Sequence, residues 1–198
     1  LMGAVGGGWA CGVCRATTPH GEIVQWDEQM RAGLASILEA ADGMEHQTGR
    51  RLSRWIDEAL KRCHPNHAMV LQARLALVAF AEHEEADASA AGLRAKLAAA
   101  DEALTHAARL LSPSDPQVFD LRFQAGHAHY QLAQLLHQSG RATGAADEFR
   151  AAASAMLRGA GDLSLSASEG EAAPPCVAAR QFAQLALKQL SAIKSKVK

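Results

Sequence analysis

Apolar residues recur at intervals of three and four positions along most of the chain, the spacing that places side chains on one face of an α-helix. The clearest run comprises Val118, Leu121, Ala125, Ala128, Leu132 and Leu135. Another comprises Leu93, Leu97, Ala100, Leu104, Ala107 and Leu111. Similar spacing begins near Met30, Leu52, Val70, Ala146 and Ala179. The pattern predicts an all-α chain, and the stretch after Val70 carries two adjacent apolar stripes, which predicts an interior helix.

Two short strings recur at nearly one interval. Asp57-Glu58-Ala59-Leu60 returns 44 residues later at 101–104, and Ala99-Ala100-Asp101-Glu102 returns 46 residues later at 145–148. A second pattern, Pro-x4-Val, opens at Pro65 and again 48 residues later at Pro113. Recurrence at such intervals predicts tandem antiparallel helical hairpins. The arrangement resembles tetratricopeptide (TPR) arrays, whose stacked helix pairs form scaffolds for protein binding.

Breaks in the helical pattern divide the chain into four parts. The hairpins are predicted over 25–158, with turns at Ser112–Pro116 and Ser139-Gly140; Asp115 suits a helix cap. The Gly/Ser/Glu-rich stretch 159–175 predicts a flexible linker. Residues 176–198 predict a C-terminal helix that caps the array. Residues 1–24 predict a short irregular segment that contains Cys-x-x-Cys.

Composition supports the helical prediction and narrows the partners. Alanine dominates, aromatic residues make up 5%, and the net charge is −1. No overall field favours nucleic acid, and no apolar run reaches the length of a membrane span, so neither partner is expected. No signal peptide is recognisable, which favours a cytoplasmic or nuclear setting. We interpret Leu1 as a cut through a longer protein.

The pair Cys11 and Cys14 is the one sequence feature that suggests a metal-binding or redox site. Two thiolates separated by two residues can bind one Zn²⁺ if two further ligands arrive from elsewhere. A redox Cys-x-x-Cys wants a strand before it and a helix opening at the first cysteine, whereas a glycine-rich run precedes this pair. A partial zinc site, structurally idle cysteines and a redox pair remain the open interpretations.

The rest of the sequence contains no recognisable catalytic or cofactor-binding motif. Gly6-Gly7-Gly8 precedes no Lys-Ser/Thr and so forms no phosphate loop, and no nucleophile elbow occurs. The expected partner is a protein or peptide. Residues on the first helix of each pair are the candidate contacts: Arg74, Arg122 and Gln124.

The order of these features resembles one enzyme family. A cysteine cluster followed by hairpins, the second opening with His64-Pro65-Asn66-His67-Ala68-Met69-Val70-Leu71, is similar to the C-terminal part of SET-and-MYND-domain (SMYD) protein lysine methyltransferases. In that family a catalytic SET domain precedes a post-SET zinc segment and a TPR-like domain. The resemblance implies that Cys11 and Cys14 match part of the zinc cluster, although Trp9 stands where a further cysteine is usual.

Two hypotheses about function follow. In the first, the chain is the non-catalytic C-terminal fragment of a SET/MYND-type methyltransferase, which braces the substrate cleft while S-adenosylmethionine chemistry lies upstream. In the second, it is a stand-alone adaptor resembling kinesin-light-chain TPR proteins, which holds a partner peptide. The second hypothesis leaves Cys11 and Cys14 without a role.

Overall fold

Seven α-helices follow one another in the computed structural model, which describes residues 2–5, 8–11, 17–41, 45–64, 66–80, 89–164 and 174–196. Their bounds are α1 His20–Glu39, α2 Glu45–Leu60, α3 Ala68–Phe80, α4 Ala90–Leu110, α5 Pro116–Gln138, α6 Ala142–Ser164 and α7 Pro174–Lys196. Each helix packs against the next in chain order. The predicted all-α array of tandem antiparallel hairpins is confirmed.

The N-terminal segment differs from the irregular segment predicted for 1–24. Three short strands, β1 Met2–Val5, β2 Gly8–Cys11 and β3 Thr17–Pro19, form an antiparallel sheet in that order. Gly-Gly separates β1 from β2 in the sequence, a dipeptide typical of tight hairpins that a search for helical spacing does not detect. Strand β3 runs directly into α1, which therefore begins at His20 rather than near residue 25.

The described residues form three hydrophobic clusters that lie one after another along the array. The first is built from α1, α2 and α3, the second from α3, α4 and α5, and the third mainly from α5, α6 and α7. Neighbouring clusters share a helix, so the core runs through the stack as a solenoid requires. Every hairpin is therefore stabilised by the one beside it.

Helix α3 shows why the sharing works. Val70 and Ala73 are fully buried in the first cluster, while Leu71 and Val78 are buried in the second. The two apolar stripes predicted for this helix thus face two different layers, and the prediction of an interior helix is confirmed.

The turn between α4 and α5 is built as its sequence predicts. The Asp115 carboxylate accepts a hydrogen bond from the backbone N–H of Gln117 at 2.8 Å, and Pro116 occupies the first helical position, where its missing N–H costs nothing. Gly140, after α5, has φ of 76°, a left-handed conformation that favours glycine.

The predicted linker 159–175 is wrong over its first residues. Helix α6 continues to Ser164, and residues 165–173 lie outside the described part of the chain. A Cβ added at Gly159 would lie 3.4 Å from Phe119 and Arg122 of α5. This glycine therefore permits a close approach of two helices and does not end one.

Helix α7 covers the end of the array against α6. Its buried residues fall on one face: Cys176, Ala179, Ala183, Ala186, Leu190 and Ile193. Phe182 adds an aromatic contact, with its ring centroid 5.0 Å from that of Tyr130 in α5. The exposed positions mix Gln, Lys and Ser with three large apolar residues, Val177, Leu185 and Leu187.

Gly126 is the tightest helix contact among the described glycines, and its substitution tests the packing. A Cβ there would lie 2.8 Å from Met156 Cε and 3.0 Å from Cγ, whereas a Cβ at Gly161 would meet nothing within 4 Å. We expect G161A to stabilise the chain by about 0.5–1 kcal/mol through helix propensity. Overpacking should place G126A about 1–3 kcal/mol below G161A in urea unfolding. Equal gains from the two variants would contradict the close approach of α5 and α6.

Candidate protein-binding site

The two arginines predicted as partner contacts occupy equivalent positions in α3 and α5 but face their own hairpins. Arg74 Nη1 pairs with Glu102 Oε2 of α4, and Arg122 Nη1 pairs with Asp162 Oδ2 of α6. The arginine side chains are 17% and 18% exposed. Each ion pair joins the first helix of a hairpin to the second, so both arginines brace the array from within.

Gln124 lies away from this bracing contact. It follows Arg122 by two positions, which turns it about 200° around the helix. It is half-buried on the stripe that also carries Asp120, His127 and Gln131. The structure therefore does not gather the three predicted contacts onto one surface, and no observation assigns a partner to them.

A pocket of about 420 Å³ lies where the first turns of α1 meet the α2–α3 turn. We call it the indole pocket; its lining residues are Glu22, Ile23, Trp26, Arg62, Cys63, His64 and His67. A second depression of about 300 Å³ shares Trp26 and Arg62 with it and extends along α1 and α2 to Trp55. Trp26 and Trp55 are both half-buried, so the two indoles stay accessible along one groove.

Helix α1 approaches α2 closely at the far end of this groove. A Cβ added at Gly33 would lie 3.2 Å from Trp55 Nε1. The glycine thus lets the Trp55 indole lie against α1, with the groove along its exposed edge.

His67 holds the wall of the indole pocket in place. Its Nδ1 accepts the backbone N–H of Met69 at 3.3 Å, which fixes the ring at the start of α3 and leaves the proton on Nε2. That Nε2 lies 3.8 Å from Asp27 Oδ1, and the ring meets Trp26 edge-on at a centroid distance of 6.2 Å. Trp26 is therefore positioned by two helices and not by α1 alone.

Cys63 contributes an uncharged thiol to the pocket. Burial raises the pKa of this half-buried cysteine, and its own backbone opposes the effect more weakly. The neutral thiol is a poor nucleophile, so the lining offers apolar contact and not reactivity.

The zinc prediction falls on residues whose side chains the structure does not describe. Strand β2 ends at Cys11, while Cys14 lies outside the described residues. Within the described ranges, no three His, Cys, Asp or Glu side chains group as metal ligands would. The Cys11/Cys14 site stays a prediction. None of the helices described here is long and apolar enough to cross a membrane.

Sequence periodicity did not reveal the indole pocket. Trp55 fits the buried stripe of α2, and Trp26 precedes the stripe that begins at Met30. The pocket forms only because the α2–α3 turn returns His64 and His67 to the beginning of α1. The signal in the sequence was the occurrence of Trp26 and Trp55, two of the three tryptophans, in an aromatic-poor chain, since large aromatic residues are enriched at binding surfaces.

The fold and the groove place the chain among proteins built from stacked helical hairpins, with a pocket on one side of the stack. Comparisons with protein-family models and with curated proteins find no match. A solved structure of a kinesin light chain protein from Podosopora anserina with nearly identical TPR-like repeats is similar, at 14% identity and a TM-score of 0.41, covering 86% of this chain and 97% of that one.

A point variant of that Podosopora anserina protein gives the same TM-score of 0.41 at 14% identity, covering 85% of this chain and 96% of that one. Likeness at this level carries no inference about function. The description of the fold rests on the seven helices and their packing.

The bracing role of Arg122 predicts a loss of stability without a loss of binding. R122Q leaves the Asp162 carboxylate, which is 27% exposed, without its partner. We expect the free energy of unfolding in urea to fall by about 1 kcal/mol. R141Q, at an exposed arginine, is the matched control and should leave stability unchanged. A stable R122Q chain that no longer binds a peptide ligand would instead make Arg122 a partner contact.

Proposed function

We propose that the chain is a non-catalytic scaffold that binds a peptide segment of another protein, with an apolar side chain of that peptide in the indole pocket. The carrying observation is the accessible Trp26 beside Ile23, at the junction of three helices. The pocket volume of about 420 Å³ lies within the range of sites that enclose a small ligand or side chain.

The chemistry of the lining supports this occupant. Ile23 and Trp26 offer apolar surface, while Arg62, His64 and His67 surround it with polar groups. Such an apolar centre with a polar rim is the usual anatomy of a protein-binding site. Tryptophan frequently dominates the binding energy there because its large rigid surface loses little entropy.

Selection from a displayed random peptide library, followed by titration of the synthetic peptides, tests the proposal. W26A should weaken a selected peptide at least about tenfold, the order expected of a central aromatic anchor. I23D places a charge in the pocket near the exposed beginning of α1, and should have a similar effect without disturbing the cluster formed by α1, α2 and α3. L157A is the matched control, because Leu157 is 48% exposed on α6.

Thermal unfolding of each variant separates folding from binding. Peptides that bind W26A and I23D as tightly as the parent chain would overturn the proposal. So would equal weakening by L157A, which would indicate unspecific apolar association.

A second candidate function is favoured by the order of the N-terminal elements. Cys11 closes β2, Cys14 follows, and β3 leads directly into the first hairpin. In SET/MYND-type methyltransferases a cysteine-rich zinc segment likewise precedes helical hairpins. This shared order supports the proposal that the chain is the C-terminal region of such an enzyme. The hairpins would then brace a substrate cleft, and S-adenosylmethionine chemistry would lie in an upstream domain. A tetrahedral zinc site would need two ligands besides Cys11 and Cys14.

Zinc content distinguishes the two candidates. If the methyltransferase proposal holds, the chain with its natural upstream sequence carries stoichiometric zinc that C11S and C14S both lose, because thiolate ligands are required. C63S is the matched control and should keep the metal. Absence of zinc, or an upstream coding sequence without a SET domain, would refute the methyltransferase proposal and leave the peptide-binding proposal intact.

A further inference from the structure

A second pocket, of about 280 Å³, lies between α3 and α4. We call it the basic pocket; its lining residues are Arg74, Asp101, Glu102, Thr105, His106 and Arg109. Arg74 is held by Glu102, which is itself 69% exposed. Arg109 donates to the Asn66 side-chain oxygen at 3.3 Å, and among the described residues it has no carboxylate partner.

Two buried side-chain nitrogens of the pocket lining have no hydrogen-bond partner among the described residues. His106 is 5% exposed, and its Nε2 bonds to no described group. Arg74 Nε is likewise buried and unpaired. Buried polar atoms in native proteins nearly always have partners, so these two nitrogens favour a polar group bound beside them.

His106 lies among basic groups. Burial lowers the pKa of His106, and the charges of Arg74, Arg109 and His64 lower it further. The imidazole is therefore neutral at neutral pH in the free chain, and an anion entering the pocket would favour its protonated form.

An anion that enters the basic pocket must compete with the Glu102 carboxylate for Arg74. The Glu102 carboxylate belongs to the same chain as Arg74 and is held beside it. A free monocarboxylate carries the same charge but would have to lose its translational freedom to bind there, so it would compete poorly. A phosphate monoester carries nearly two charges and three acceptor oxygens, enough to engage Arg74, Arg109 and His106 together. The exposed Glu102 side chain is free to move aside.

We propose that the basic pocket binds the phosphate of a phosphorylated side chain in the peptide whose apolar residue occupies the indole pocket. The peptide part of this inference rests on the proposed function. The α2–α3 turn relates the two pockets: His64 lines the indole pocket, and Asn66, two positions further on, bonds to Arg109 of the basic pocket. This shared turn is the ground for placing both groups on one peptide.

Histidine-ring NMR of the full chain tests the phosphate site directly, with H106Q used to assign the signal. Titration with N-acetyl-phosphoserine amide should shift the His106 signal saturably and raise its pKa. R109Q should weaken binding roughly tenfold, and E102Q should strengthen it by removing the competing carboxylate. R141Q is the matched control and should bind as the parent chain does.

Two further ligands show whether the bound anion is a phosphorylated side chain, a carboxylate or free phosphate. N-acetyl-glutamate amide should bind at least about tenfold more weakly than the phosphoserine derivative. Inorganic phosphate binding more tightly than that derivative would overturn the peptide source. An unshifted His106 signal, a weaker E102Q or an equally weakened R141Q would overturn the site itself. None of these results affects W26A and its peptides, so failure here is distinct from failure of the proposed function.

Discussion

The close approach of neighbouring helices through alanine and glycine is the constraint on which the structure depends. Ala100, Ala128, Ala152 and Ala183 are fully buried, and Met156 occupies the space that a side chain at Gly126 would need. Small side chains add little apolar area each, so stability comes from many short contacts spread over three linked clusters. The arrangement fixes how far apart the helix ends lie, and hence where pockets can form between them.

The indole pocket lies at the α2–α3 turn, and the basic pocket lies between α3 and α4. His67 caps α3, positions Trp26 and faces Asp27, while His64 and Asn66 connect the indole pocket to Arg109. The ion pairs of Arg74 and Arg122 lie inside the hairpins and hold them together. Rigid stacking thus supplies the frame, and residues of α1, the α2–α3 turn, α3 and α4 supply the recognition groups.

Sequence periodicity predicted all seven helices, the two-sided burial of α3 and the cap at Asp115, because each depends on local spacing. It did not predict the three-stranded sheet, which depends on strand pairing and not on helical spacing. It placed a linker at Gly159 because glycine also marks close packing. It did not predict the ion pairs of Arg74 and Arg122, because the carboxylates that hold them, Glu102 and Asp162, are distant in sequence and meet them only in the folded array.

The central claim is that a partner peptide lies against Trp26. Nuclear Overhauser contacts between a library-selected peptide and the indole protons of the chain measure this directly. The account predicts contacts from the peptide to Trp26 and Ile23. Contacts confined to the α5 stripe around Gln124 and Gln131, with none to Trp26, would contradict it.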